Sequence, residues 1–143
     1  MNDGQRRAGG AAFRFALKVY YEDTDAGGVV YYANYLKFME RARTEWLDSL
    51  GLPLAAFEQT HGVVFLVHRV EIDYRRPARL NDTLEVTVEV VAHGACRLEL
   101  RQAVRRATHT LTDARVTLAC VDAAALRPRR MPAPLAAVLE NLH

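Results

Sequence analysis

Three carboxylates and a glycine pair crowd one short stretch, Tyr21-Glu22-Asp23-Thr24-Asp25-Ala26-Gly27-Gly28. Asp and Gly favour turns whatever else they do, so composition alone makes this a chain reversal. Its position makes it more: the turn lies between the end of an alternating segment and the start of the one long helical pattern. A helix start offers unpaired backbone N–H groups and the positive end of a dipole. Glycine lets a ligand approach the backbone closely. A carboxylate beside such donors can serve as base or nucleophile while the donors hold an oxyanion.

That pairing suits a thioester. The leaving thiol has a pKa of roughly 8.5 and departs as thiolate with little help from an acid, whereas an amide would need its nitrogen protonated. Competing chemistries lack their residues. There is no G-x-S-x-G elbow, no Walker A or G-x-G-x-x-G loop, and no H-E-x-x-H spacing among His61, His68, His93 and His109. Those histidines read as surface or structural, and no metal site is expected. Cys96 and Cys120 fit no zinc or redox motif; both fall at apolar strand positions and read as buried free thiols, which suits a reducing compartment.

Charge is nearly balanced, 19 Lys and Arg against 17 Asp and Glu, a net +2 over 143 residues. A general nucleic-acid binder would carry a basic stripe; here Arg75-Arg76, Arg105-Arg106 and Arg129-Arg130 are scattered pairs, mostly solvated surface. The longest apolar run, Val63 to Val67, is too short to span a bilayer. Residues 1–12 carry no apolar block of signal-peptide length. They read as a flexible tail ahead of a single domain, 13–143, of a cytoplasmic protein.

The elements that must position the turn follow from period. Phe13, Phe15, Leu17, Val19 and Tyr21 alternate with Arg14 and Lys18, a strand with Tyr21 on its inward side. Tyr35, Met39, Ala42, Trp46 and Leu50 form one apolar helical stripe, widened by Phe38 and Leu47. Asn34 is placed as N-cap and Gly51, with Pro53 beyond, as the stop. A short helix is expected near Leu54 to Gln59. Strands follow at Val63–Tyr74, Thr83–Val90, Cys96–Arg101 and Arg115–Cys120, with a C-terminal helix from Leu135 to Leu142. One long helix among about five antiparallel strands gives an α+β domain with the helix on one sheet face. The unpaired edges of such a sheet would be settled by a homodimer.

The run Val19-Tyr20-Tyr21-Glu22-Asp23-Thr24-Asp25-Ala26-Gly27-Gly28-Val29-Val30-Tyr31-Tyr32-Ala33-Asn34-Tyr35, followed by Phe38-Met39-Glu40-Arg41-Ala42-Arg43-Thr44-Glu45, resembles the hotdog-fold thioesterases of the 4-hydroxybenzoyl-CoA thioesterase-like superfamily. The nearest resemblance is to the acyl-CoA thioesterases encoded with the Tol–Pal cell-envelope system. It covers about Phe13 to Pro132, including Tyr74-Arg75-Arg76-Pro77-Ala78-Arg79-Leu80. It implies a long central helix wrapped by a curved antiparallel sheet, and a homodimer or homotetramer with active sites at the subunit interface. It also implies hydrolysis of acyl-CoA, or of acyl carrier protein thioesters, without a cofactor, at a cytoplasmic site peripheral to the inner membrane.

Residue by residue, the resemblance makes Asp25 the catalytic carboxylate, as nucleophile or general base. The Tyr32 N–H polarises the thioester carbonyl, and Tyr21 lines the site. From the residues themselves, Gly28 and Asn34 stand at the helix mouth toward substrate, and Arg75, Arg76 and Arg79 beside Pro77 are the candidates to meet CoA phosphates, Arg76 foremost, with plain surface as the default. Glu40 reads as a helix-surface partner of Arg43. The chain departs from those relatives at Tyr32, where they commonly carry histidine; a phenol with a pKa near 10 cannot replace imidazole as a neutral-pH base. The alternatives are a dehydratase or hydratase on the same fold, disfavoured because neither turn nor helix contains histidine, and a non-catalytic acyl-CoA-binding or scaffold protein, disfavoured by the intact Asp25 turn.

Overall fold

A computed structural model describes residues 12–142, so the flexible tail expected over residues 1–12 lies, Ala12 apart, outside the described residues. β1 (Phe13–Lys18) leads through a turn into α1 (Asn34–Ser49). A short helical stretch follows, α2 (Leu54–Ala56) running into a wider π turn, Phe57–His61. Then come β2 (Val63–Tyr74), β3 (Thr83–His93), β4 (Arg97–Arg106), β5 (His109–Asp122) and a closing helix, α3 (Ala133–Glu140). All five strands join one antiparallel sheet in the order β1-β3-β4-β5-β2. The α+β class and the strand count are those the periodicity implied.

α1 buries the stripe its spacing marked: Tyr35, Phe38, Met39, Ala42, Trp46 and Leu47 are all buried, while Leu50 is half-buried. Fully burying a side chain the size of Phe38 or Met39 contributes about 1.5–3 kcal/mol. Opposite lie the inward residues of the sheet, among them Leu84, Val86, Leu98, Leu100 and Val116. The helix ends where the chain needs a left-handed residue, which Gly51 supplies at φ +76°.

Three expectations change. β1 stops at Lys18, and the chain enters a 3₁₀ turn at Tyr21–Asp23; Tyr21 therefore leaves the strand's inward face and is 82% exposed. Asn34 is the first helical residue rather than the N-cap; Ala33 holds that position without a side-chain cap. Arg43 turns inward instead of pairing along the helix with Glu40. Its Nη1 donates to Gln102 Oε1 at 2.9 Å, and burial lowers its pKa below the usual guanidinium value. Gln102, fully buried on β4, donates in turn to the Met39 carbonyl at 3.0 Å and the Thr87 carbonyl at 3.3 Å. One amide thus ties helix, β3 and β4 together and gives the half-buried Arg43 an acceptor.

Cys120 is buried on β5 and Cys96 is partly exposed just before β4, so only the former matches the expected burial; both are free thiols. Their backbones meet, Cys120 N–H donating to the Cys96 carbonyl at 2.8 Å. Burial first, and then the neighbouring Cys96, push the Cys120 thiol up to about 11. No described helix is long and apolar enough to cross a membrane.

Gln102→Leu keeps the volume but strips Arg43 of its buried acceptor. Leaving a half-buried donor of this kind without its acceptor costs about 1–3 kcal/mol. The expected result is a clear fall in Tm by calorimetry, and an unchanged Tm would show that the Arg43–Gln102 bond adds nothing.

Candidate active site

The acidic turn folds back on itself before the helix begins. Thr24 bridges Val30, and Asp25 N–H donates to the Val29 carbonyl at 2.8 Å, so Asp25 lies alongside the strand-like segment that enters α1. Its Oδ1 accepts the Gly27 N–H at 2.8 Å; Oδ2 has no partner among the described residues, and the side chain is exposed. A Cβ on Gly27 would come within 3.3 Å of that Oδ1. Gly28 sits at φ +79° with open space around it, so the backbone rather than crowding selects glycine there.

The turn is pinned to the helix through one atom. The Asp23 carbonyl accepts the Tyr31 N–H at 3.0 Å and the Asn34 Nδ2 at 2.9 Å. Asn34 thus acts as a clamp across eleven residues. The Asp23 carboxylate looks the other way and closes the 3₁₀ turn on the Tyr20 N–H at 2.9 Å. These bonds divide the three carboxylates: Asp23 builds the turn, Glu22 is exposed beside it, and Asp25 alone offers an unbound oxygen at the helix mouth.

On the helix side, the Tyr31 carbonyl accepts the Asn34 N–H at 2.8 Å, whereas the Tyr32 N–H meets no acceptor among the described residues. Tyr32 is 61% exposed. Its ring stands 4.9 Å from that of Tyr31 and meets Tyr74 edge-on at 6.2 Å. Tyr74 in turn meets the buried Tyr35 ring at 5.5 Å. Tyr35 Oη accepts the Ala78 N–H at 3.0 Å, and the Ala78 carbonyl accepts the Val30 N–H at 2.8 Å. Tyr31, Tyr35 and Tyr74 all have their pKa values raised and keep their protons at neutral pH. The Tyr32 hydroxyl, as hydrogen-bond partner and as an incipient like charge, raises Tyr31; burial raises Tyr35 and Tyr74.

A cleft of about 250 Å³ opens here, lined by Tyr32, Tyr35, Tyr74, Arg75, Arg76 and Pro77. The expected residues therefore divide. Tyr32 and Arg76 share the cleft, and the Arg76 guanidinium has no protein partner among the described residues. Asp25, Gly28 and Asn34 form the adjoining turn. Tyr21 lines neither in the single chain. Tyr74, quoted at the head of the Tyr74–Leu80 run but given no role there, also lines the cleft; its signal was that run and its place at the end of β2. Most other arginines are committed within the protein: Arg75 and Arg101 to Asp113, Arg106 to Asp82, Arg129 to Asp122. No group of three metal-ligating side chains occurs among the described residues.

Further along α1, a smaller cavity of about 120 Å³ lies between helix and sheet, walled by Leu47, Phe65, Val67, Leu98 and Leu118, with Glu40 and Arg43 at its polar side. Glu40 is six residues beyond Asn34, about 9 Å along the helix.

A five-stranded antiparallel sheet packed on one long helix, with a carboxylate turn at that helix's start, defines the hotdog class of thioesterase folds. The chain belongs to the thioesterase-like superfamily, whose family pattern matches residues 19–139. It is 41% identical over 126 residues to the acyl-CoA thioester hydrolase YbgC of Escherichia coli O6:H1, covering 87% of this chain and 93% of that one. It is likewise 41% identical over 130 residues to the acyl-CoA thioesterase YbgC of Haemophilus influenzae, covering 91% and 96%. Among solved structures, a probable thioesterase from Bartonella henselae superposes with a TM-score of 0.82 at 32% identity, over 85% of this chain and all of the other.

The loop beneath the cleft rests on Asp82, whose Oδ2 accepts the Arg79 N–H at 2.8 Å and the Arg106 Nη1 at 2.6 Å. Burial alone would raise its pKa, but these donors outweigh it and hold the carboxyl below the usual range. Its stabilisation is therefore complete above the unfolded value of about 3.9 and is lost as pH falls through the lower folded value. Asp82→Asn should lower Tm at neutral pH and flatten the decline of Tm on acidification below about pH 5. An acid limb as steep as that of the wild type would refute the assignment.

Proposed function

We propose that this enzyme hydrolyses acyl-CoA thioesters to the free acid and CoA, with Asp25 as the reacting carboxylate and the Tyr32 N–H as the donor to the thioester oxygen. The observation that carries the reading is that the turn bearing Asp25 is bonded back onto the segment that enters α1 and carries the Tyr32 N–H, while the Asp25 Oδ2 and the Tyr32 N–H each have no partner among the described residues. As Asp25, or a water it deprotonates, adds to the carbonyl carbon, charge moves onto the oxygen and the Tyr32 N–H receives it. Collapse of that adduct expels CoA thiolate, which needs no acid; where Asp25 itself has added, water then cleaves the mixed anhydride left on it, releasing the free acid and restoring the carboxylate. The route asks nothing of an imidazole, so tyrosine in place of histidine at position 32 leaves it intact. Likeness to the two YbgC enzymes supports acyl-CoA as the substrate class. Acyl carrier protein thioesters present the same reacting group.

In this reading Arg76 faces the CoA phosphates across the cleft, Gly28 and Asn34 keep the mouth open and aligned, and Tyr21 flanks it. The apolar cavity along α1 receives part of the acyl group. β2 is an edge strand with Leu66 43% and Val67 51% exposed. Pairing of that edge with a second copy would cover both residues, remove the open edge and enclose the site. The cytoplasmic, Tol–Pal-associated setting belongs to the same reading.

Asp25→Asn should lower kcat/KM for thiol release across a panel of acyl-CoAs by about 10²–10⁴-fold, the range typical of a lost general base or nucleophile, with Tm little changed. Equal release by variant and wild type would remove Asp25 from the mechanism. In sedimentation equilibrium the protein should weigh a multiple of its 16.1 kDa chain mass, and Leu66→Arg, outside the acyl cavity, should shift it toward monomer with loss of activity. A wild-type monomer that is fully active would overturn the interface.

A further inference from the structure

We propose that Tyr74 is a positioning residue: its hydroxyl holds the Tyr32 carbonyl and thereby fixes the direction of the Tyr32 N–H. The catalytic half of this inference rests on the function proposed above; the structural half does not.

Tyr74 Oη donates to the Tyr32 carbonyl at 3.1 Å, across 42 residues of sequence. The helix does not use that carbonyl in its own ladder at this point, since the Leu36 N–H goes to Ala33 at 3.2 Å instead. A phenol thus stands where a backbone N–H would ordinarily be. The donor comes from the sheet: Tyr74 ends β2, opposite Thr112 of β5. Its ring is fixed edge-on between those of Tyr32 and Tyr35. Tyr35, which is buried, is itself held by the Ala78 N–H.

Geometry makes this bond matter for the amide. The Tyr32 N–H shares a rigid peptide plane with the Tyr31 carbonyl and points opposite to it. The Asn34 N–H holds that carbonyl at 2.8 Å. The next plane carries the Tyr32 carbonyl, which Tyr74 holds. With both planes tied, the two dihedrals of Tyr32 are set and its N–H cannot swing. A donor aimed before charge develops is what stabilises an oxyanion without reorganisation. Burial raises the Tyr74 pKa, so the hydroxyl keeps its proton at neutral pH.

Tyr74→Phe removes only the hydroxyl, and Tyr74→Leu removes the ring as well. In the Phe variant kcat on the best acyl-CoA should fall about 3–10-fold, the size expected for one hydrogen bond, with KM within about twofold. The ¹⁵N–¹H resonance of Tyr32 should shift, and its amide should exchange faster with solvent. The Leu variant should lose more of both kcat and Tm. An unchanged kcat with an unshifted Tyr32 resonance overturns the inference, as does a rise in KM at constant kcat, which would make Tyr74 a substrate contact. If wild type releases no thiol from any acyl-CoA, the proposed function fails. The Tyr32 resonance and its exchange rate then still decide whether Tyr74 orients that amide.

Discussion

One main-chain oxygen, the carbonyl of Asp23, sets the geometry of the site. It takes two donors, a backbone N–H from Tyr31 and the side-chain amide of Asn34. Both come from the entry to α1, while the oxygen belongs to the turn that precedes Asp25. Together with the Thr24–Val30 bridge and the Asp25 N–H to Val29 carbonyl bond, these two hydrogen bonds join the turn that carries Asp25 to the start of the helix. The rest of the fold serves that junction. The apolar stripe of α1 anchors the helix to the sheet, the Ala78 carbonyl holds Val30, and Tyr74 reaches from the end of β2 to the far side of the same segment.

Much of this was legible because it is local. The stripe from Tyr35 to Trp46 carries a helical period, and the strands after Gly62 alternate with a period of two, so the helix and the four later strands are found in the expected order, although β4 runs on to Arg106 and β5 starts at His109, well outside the expected Cys96–Arg101 and Arg115–Cys120. The positions of Asp25, Gly28 and Tyr32 follow from one contiguous stretch. The parts that were not legible depend on residues far apart in sequence. Asn34 before an apolar run has the signature of a cap, and nothing local says that its amide turns back to Asp23 instead. Arg43 three residues after Glu40 has the spacing of a surface pair, yet the acceptor that draws it inward is on β4. Tyr21 continues the alternation of β1 by one more step than the backbone does, because the 3₁₀ turn begins before the pattern ends. Tyr74 is the clearest case: an aromatic at the end of a strand carries no period that could announce a bond to residue 32.

The charged residues divide in a way that composition hides. Of the arginines, Arg43, Arg106 and Arg129 each donate to named acceptors inside the fold, and Arg75, Arg101 and Arg115 are engaged with Asp113 or Glu99 on the sheet. Positive charge on the outer strands is thereby engaged with neighbouring carboxylates. Arg76 differs because it opens onto the cleft without a protein partner among the described residues. A nearly neutral protein can in this way present a local positive potential at one place without becoming a general polyanion binder.

The raised thiol of Cys120 has a further meaning for a protein whose product is itself a thiol. Thiolate is the species that attacks disulfides and thioesters, and a side chain held near 11 is almost wholly protonated at neutral pH. Buried on β5, it presents little thiolate to a thioester or a disulfide. The strand that carries it therefore keeps a small, soft core residue without the chemical liability that an exposed thiol would bring to this reaction.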